Sequence, residues 1–286
     1  MSGLEDPTNP PIPMRKVRMF PGKAMNRVGI RRRVHSAQLK KGIYLIPSLF
    51  TTGNLICGFF SLISTFNGQY LQAAMFIILA HVLDGLDGSA ARLTHTTSQF
   101  GVEFDSLADL VSFGVAPAVL AYYWALVPWK TWGWLAACLF VVCGALRLAR
   151  FNVQIRTAEK THFVGLPIPA AAEMIAATVL MYYYWGVEGA TSKQIILLLV
   201  IYALAGLMVS NFSYFSVKQL NLKRKHPLQS LWILLFAVVV IKLAIVEPQI
   251  TFFTAFLLYT LSGPLLWCAA LYRRQRGKRA EVAEVR

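Results

Sequence analysis

The chain has 286 residues, 56% of them hydrophobic and 14% charged, with a mean hydropathy of +0.53. A soluble domain carries about 25% charged residues, so this composition excludes an ordinary water-facing surface and points to a polytopic membrane protein. The net charge of +15 would suggest nucleic acid in a soluble protein. Here the basic residues cluster between apolar segments, with no zinc spacing, Gly-rich strand–helix loop or aromatic-interleaved basic run beside them. Anionic lipid headgroups are the expected partners, and nucleic acid is not.

Residues 1–40 carry Arg15, Lys16, Arg18, Lys23, Arg27, Arg31, Arg32, Arg33 and Lys40, with no apolar core before a cleavage site. They read as a basic, mostly disordered cytoplasmic tail whose last part anchors electrostatically to the membrane surface. Eight apolar segments follow, at 43–65, 70–92, 102–127, 132–152, 166–186, 193–213, 228–246 and 250–271. Each is near the roughly 20 residues that span a bilayer. Lipid offers the backbone no hydrogen-bond partner, so the spans must be helical. The expected fold class is an all-α integral membrane protein with about eight transmembrane helices. Cys57, Cys138, Cys143 and Cys268 lie inside apolar stretches without metal-type spacing, as packing residues do.

Charge alternates along the connections. Asn67-Gly68-Gln69 has none, and the second connection, around Arg92 and His95, is polar. The third has only Lys130, and the fourth holds Arg147, Arg150, Arg156 and Lys160. Glu188 and Lys193 mark the fifth, Lys218, Lys223, Arg224 and Lys225 the sixth, and Glu247 the seventh. The end of the chain carries Arg273, Arg274, Arg276, Lys278 and Arg279. The positive-inside rule then places both termini and the even-numbered connections in the cytoplasm. Trp129, Trp132, Trp134, Tyr182, Tyr183, Tyr184 and Trp185 fall at the opposite ends, as an interfacial aromatic belt does.

Five aspartates occur in the chain, and four lie between Asp84 and Asp109, at the end of the second span and the start of the third. Ionisable residues at membrane depth default to functional hypotheses. Asp84 and Asp87 are i,i+3 and share a helix face with Gly88 and Ala91. Asp105 and Asp109 are i,i+4, with Gly101 one turn earlier. A short connection makes the two helices antiparallel, so the carboxylates can converge. Four that close repel unless a cation neutralises them, and hard oxygen donors beside a bound phosphate point to Mg²⁺ or Mn²⁺. Buried ion pairs are a poor alternative, because Arg92 is the one arginine in that window. A cation-transport pathway stays open. Gly88, Ala91 and Gly101 either leave room for a flat ligand or serve close helix packing. Arg92 either meets a phosphate or snorkels. His81, one turn before Asp84, reads as a packing residue, and Glu173 either pairs with an arginine or faces the cleft.

Together these residues make up Asp84-x2-Asp87-Gly88-x2-Ala91-Arg92-x8-Gly101-x3-Asp105-x3-Asp109. The string resembles the complete signature of the CDP-alcohol phosphotransferase family. That resemblance implies the family's helical membrane fold in the first six spans, two metal ions around Asp84, Asp87, Asp105 and Asp109, and a homodimer. It implies Asp109 as general base, with Gly88, Ala91 and Gly101 lining a cytidine pocket; Arg92 is expected beside them as a CDP contact. Ser48 stands after Pro47, where many members carry asparagine, so Thr51 and Asn54 become the expected cytidine contacts.

Three further runs are Leu49-Phe50-Thr51-Thr52-Gly53-Asn54-Leu55, Arg147-Leu148-Ala149-Arg150-Phe151-Asn152 and Gly165-Leu166-Pro167-Ile168-Pro169-Ala170-Ala171. They are similar to the bacterial membrane-embedded phosphatidylserine synthases, a group that uses CDP-diacylglycerol and L-serine in the bacterial inner membrane. Arg147, Arg150 and Asn152 are the expected contacts to serine or phosphate, since arginine grips a carboxylate in a bidentate fork. Both arginines also satisfy the positive-inside rule alone. Glycerol 3-phosphate, inositol phosphate and choline are the competing acceptors. The expected domains are a tail at 1–40, a catalytic membrane domain at 41–215, two added helices at 216–272 and a basic cytoplasmic tail at 273–286.

Overall fold

A helix in lipid satisfies its backbone internally and turns apolar side chains outward. The computed structural model of the chain describes residues 49–94, 99–156, 165–187, 189–190, 194–212, 214 and 246–284, leaving aside the side chains of 90–94, 155–156, 270–271 and 273–284. The chain divides into two units, Met1–Gly42 and Ile43–Arg286. The first unit, with the predicted basic tail, lies outside the described residues, as does nearly all of the predicted span 228–246.

Every regular element among the described residues is helical. In chain order they are α1 (Leu49–Phe66), α2 (Tyr70–Thr94), α3 (Gln99–Trp129), α4 (Thr131–Arg156), α5 (Ile168–Tyr184), α6 (Ile195–Val209) and α7 (Pro248–Glu284). Five of them, α1 to α4 and α7, are long and apolar enough to cross a membrane. The predicted fifth and sixth spans correspond to α5 and α6, which have 17 and 15 residues. The last helix runs past the predicted end at 271 as far as Glu284. Lysine, arginine, alanine and glutamate dominate that extension, and all are good helix formers.

Helix α1 shows how the bundle sorts its residues. Ile56, Phe59, Phe60, Ile63 and Phe66 are exposed, whereas Thr51, Asn54, Ser61 and Thr65 are buried. With Gly58 these small and polar residues form one stripe at helical spacing, as interfaces between helices in lipid favour. Their hydroxyls are used: Ser61 Oγ donates to the Ala73 carbonyl at 3.0 Å and Thr65 Oγ1 to the Ser61 carbonyl at 2.8 Å.

Helix α3 departs from regular α geometry immediately after Asp109. Leu110–Val115 form a wide π turn, closed by the Ala116 N–H donating to the Val111 carbonyl. Pro117 follows, and a local π turn is one way a membrane helix accommodates a proline. The wide turn puts Ser112 against α1, where its Oγ donates to the Asn54 carbonyl at 2.9 Å. A Cβ on Gly58 would stand 2.4 Å from Ser112 Oγ and 2.8 Å from its Cα. Gly58→Val is therefore expected to destabilise the protein by about 1–3 kcal/mol, read as a lower Tm in detergent. Gly85→Val, at a position with nothing within 4 Å of the added Cβ, should leave Tm unchanged.

Two further junctions set the bundle around α5. Gly165 has φ +87°, and a Cβ there would meet the Met208 carbonyl oxygen at 2.4 Å. Its N–H donates to Phe212 O at 2.9 Å and the Leu166 N–H to Leu207 O at 3.0 Å, so the segment entering α5 is tied to the end of α6. Pro264 sits inside α7. Proline has no N–H, so the helix leaves the Thr260 carbonyl unused. The Tyr214 hydroxyl donates to that carbonyl at 3.2 Å. Gly263 makes room for the ring: a Cβ there would lie 2.4 Å from Tyr214 Cζ.

Candidate active site

Spacing alone put Asp84 and Asp87 on one face of α2 and Asp105 and Asp109 on one face of α3. Across the two helices, Asp84, Asp105 and Asp109 each bring a carboxylate oxygen to within 4.8 Å of the others. Three acceptor-only groups at that separation repel strongly unless a cation lies among them. Beside them, Asp87 Oδ1 and Asn54 Oδ1 are buried and have no hydrogen-bond partner among the described residues. An oxygen-only set with unused buried acceptors fits a hard divalent cation.

Asp87 stands apart from this trio. Its Oδ2 accepts a hydrogen bond from the Thr51 hydroxyl of α1. Asn54 of α1, one turn further on, donates from Nδ2 to Asp109 Oδ1 at 3.0 Å. Helix α1 thus holds one aspartate from each of the other two helices. Thr51 and Asn54, expected as cytidine contacts, face the acids in this structure.

The small residues divide. Among the described residues, nothing lies within 4 Å of where a Cβ on Gly88 would be. Gly101 lies in the first turn of α3 and is half-buried. The backbones of Ala91 and Arg92 belong to α2, but their side chains lie outside the described residues.

The predicted acceptor trio also separates. Arg147 is half-buried, lies within electrostatic reach of Asp109 and Tyr259, and places its guanidinium carbon 5.7 Å from the Phe151 ring centroid. Arg150 is exposed and donates through both terminal nitrogens to Asn211 Oδ1, each at 3.2 Å. Asn152 Nδ2 donates to Ser106 Oγ at 2.9 Å, next to Asp105. Of the three, Arg147 is the one within electrostatic reach of the acid cluster, while the other two brace neighbouring elements.

The sequence singled out His81 and Glu173 but not their pairing, and it missed Tyr259. Glu173 pairs with His81, Nδ1 to Oε1 at 3.0 Å, and with no arginine among the described residues. Tyr259 of α7 lies within electrostatic reach of Arg147, in a part of the chain that carries no motif. The Thr51–Asn54–Gly58–Ser61–Thr65 stripe was the available signal for the inward face of α1.

The comparisons with known proteins identify the family. The family described as CDP-alcohol phosphatidyltransferase matches residues 44–206, more than half of the chain. A Helicobacter pylori (strain ATCC 700392 / 26695) protein named CDP-diacylglycerol–serine O-phosphatidyltransferase is 37% identical over 226 residues, 79% of this chain and 92% of that protein. A Bacillus subtilis (strain 168) protein of the same name is 43% identical over 126 residues, 44% of this chain and 70% of that one. An archaetidylserine synthase from Methanothermobacter thermautotrophicus is 37% identical over 171 residues, 59% of this chain and 69% of that one. The matched residues 44–206 include all four aspartates, the Thr51 and Asn54 that hold two of them, and Arg147. With acids converging from α2 and α3 inside an all-helical apolar bundle, the chain belongs to the CDP-alcohol phosphatidyltransferase family.

Proposed function

We propose that the protein transfers the phosphatidyl group from CDP-diacylglycerol to L-serine and releases CMP. The carrying observation is the convergence of Asp84, Asp105 and Asp109 with Arg147 at charge-interaction range of Asp109. The names of its relatives supply the donor and acceptor classes.

Asp84, Asp87, Asp105 and Asp109 would hold two ions of Mg²⁺ or Mn²⁺. Ions bound there neutralise the diphosphate and the charge that develops on its oxygens. The remaining work falls to this chain's residues. Asn54 holds Asp109 Oδ1 and fixes the carboxylate's direction. Asp109 takes the proton from the serine hydroxyl as that oxygen forms a bond to the phosphorus beside diacylglycerol. The bond between that phosphorus and the bridging oxygen breaks, and CMP departs with the oxygen. Open space at Gly88 receives the cytidine moiety, with Ala91, Arg92, Gly101, Thr51 and Asn54 around it. Arg147 grips the serine carboxylate or the lipid phosphate, with Arg150 and Asn152 supporting it. Positioning and charge neutralisation account for most of the catalysis.

The same proposal includes a homodimer, eight spans, and the site and both termini on the cytoplasmic face of a bacterial inner membrane. Its basic segments bind anionic lipids, with the domains at 1–40, 41–215, 216–272 and 273–286. Charge alternation along the connections supports the topology.

The test is CMP release from CDP-diacylglycerol in detergent with serine, glycerol 3-phosphate, inositol phosphate or choline as acceptor. Serine should be the productive one, and Arg147→Ala should raise its KM about tenfold or more, in line with the loss of a charge-assisted contact. Turnover with glycerol 3-phosphate and none with serine would overturn the acceptor.

A further inference from the structure

Helix α5 contains one charged residue, Glu173, and it is completely buried. A buried carboxylate in a membrane helix is expensive and usually retained for function. Glu173 Oε1 accepts a hydrogen bond from the Nδ1–H of His81 at 3.0 Å, while Oε2 has no partner among the described residues. His81 lies on α2, one turn ahead of Asp84. Its ring meets Phe113 edge-on, with centroids 5.9 Å apart. Phe113 is fully buried in the wide turn that begins immediately after Asp109. One imidazole therefore touches α5 through Glu173 and α3 through Phe113, within a turn of an aspartate on each of α2 and α3.

We propose that the Glu173–His81 pair is a positioning device that fixes the rotation of α2 against α3, and so the spacing of the Asp84 and Asp109 carboxylates around a divalent cation. This rests on the reading of the aspartates as a cation site. Apolar helices in lipid have no hydrophobic force to fix their mutual rotation and depend on packing and hydrogen bonds. A hydrogen bond is directional, and it is stronger in a low-dielectric interior. A helix rotation of 20° would move a carboxylate at the end of its side chain by roughly 2 Å, given a Cα radius of about 2.3 Å. Metal–ligand distances are fixed to within about 0.2 Å. Burying a charged pair is weak evidence for stability, since apolar residues of similar volume often replace such a pair without loss. Neither side chain touches the reacting atoms, so both are positioning residues.

The test uses the full-length protein in detergent, stripped with EDTA, with Mn²⁺ binding read from the electron paramagnetic resonance signal of the free ion. Glu173→Ala and His81→Ala should each weaken Mn²⁺ binding tenfold or more, and the double variant should be no weaker than either. Glu173→Gln keeps a hydrogen-bonding amide and should stay within threefold of wild type. The apolar double variant Glu173→Met with His81→Leu guards against loss of fold: it should match or exceed wild type in Tm and still bind Mn²⁺ at least tenfold more weakly. Wild-type Mn²⁺ affinity in that folded double variant would overturn the proposal and leave the pair a packing feature. Failure of the wild-type protein itself to bind Mn²⁺ would instead overturn the cation-site reading on which the proposal rests.

Discussion

Asp109→Asn is expected to lower serine-dependent CMP release by at least about a thousandfold, because it removes a metal oxygen and the proton acceptor together. The substitution is isosteric, and the new amide oxygen can still accept from Asn54 Nδ2, which holds Oδ1 in the native protein. Folding should survive, and Tm should hold or rise, since Asp84 and Asp105 lose a neighbour of like charge within 4.8 Å. Labelled-substrate turnover and thermal unfolding on the same preparation separate chemistry from fold. Turnover within tenfold of wild type would remove Asp109 as base. Metal flux through liposomes without CMP release would recast the acids as a transport pathway.

Stripping the divalent cation should have an effect as large. EDTA is expected to abolish CMP release, and added Mg²⁺ or Mn²⁺ should restore it. The stripped protein keeps three converging carboxylates without a counter-ion, so metal should also raise its Tm. A ligand at a hundred times its Kd stabilises a protein by about 2.7 kcal/mol. Asp84→Asn and Asp105→Asn should lose this shift. Thr51→Val, which removes the hydroxyl donated to Asp87 Oδ2, should weaken it without erasing it. An unchanged Tm on adding metal to the stripped wild-type protein would count against the acids as a cation site.

The aspartate pairs were legible because helical spacing is rigid. Residues i,i+3 and i,i+4 share a face whatever the helix packs against, and a short connection brings two such faces together. The resemblance carried by the same residues extended that reading to the family. What spacing does not encode is the rotation of one apolar helix against another. In a soluble helix an apolar stripe marks the buried face, but a helix in lipid is apolar all round. Helix α6 illustrates this: Leu197, Leu198, Ile201 and Leu204 are buried while Ile195, Ile196 and Leu199 are exposed, with no chemical difference between the two sets. For the same reason Arg147 and Arg150 looked equivalent, although one lies within electrostatic reach of Asp109 and the other donates to Asn211. His81 and Glu173 are 92 positions apart, so their pairing had no local signature. The π turn after Asp109 was hidden as well, because a single wide turn leaves the hydrophobic run unbroken.

The Tyr214–Thr260 contact bears on how the molecule is made. Synthesis proceeds from the N-terminus, so α7 is the last described helix to emerge, well after all four aspartates. Its docking is specified by a missing backbone donor at Pro264, a bare backbone at Gly263 and a waiting phenol at Tyr214. The residue just before Thr260 is Tyr259, whose ring centroid lies 5.6 Å from that of Tyr214 and which lies within electrostatic reach of Arg147. A nascent chain that has inserted only its first six described helices therefore has every acid of the site but lacks the Tyr214–Thr260 contact. Docking of α7 is a late step that follows the appearance of all four site aspartates in the chain.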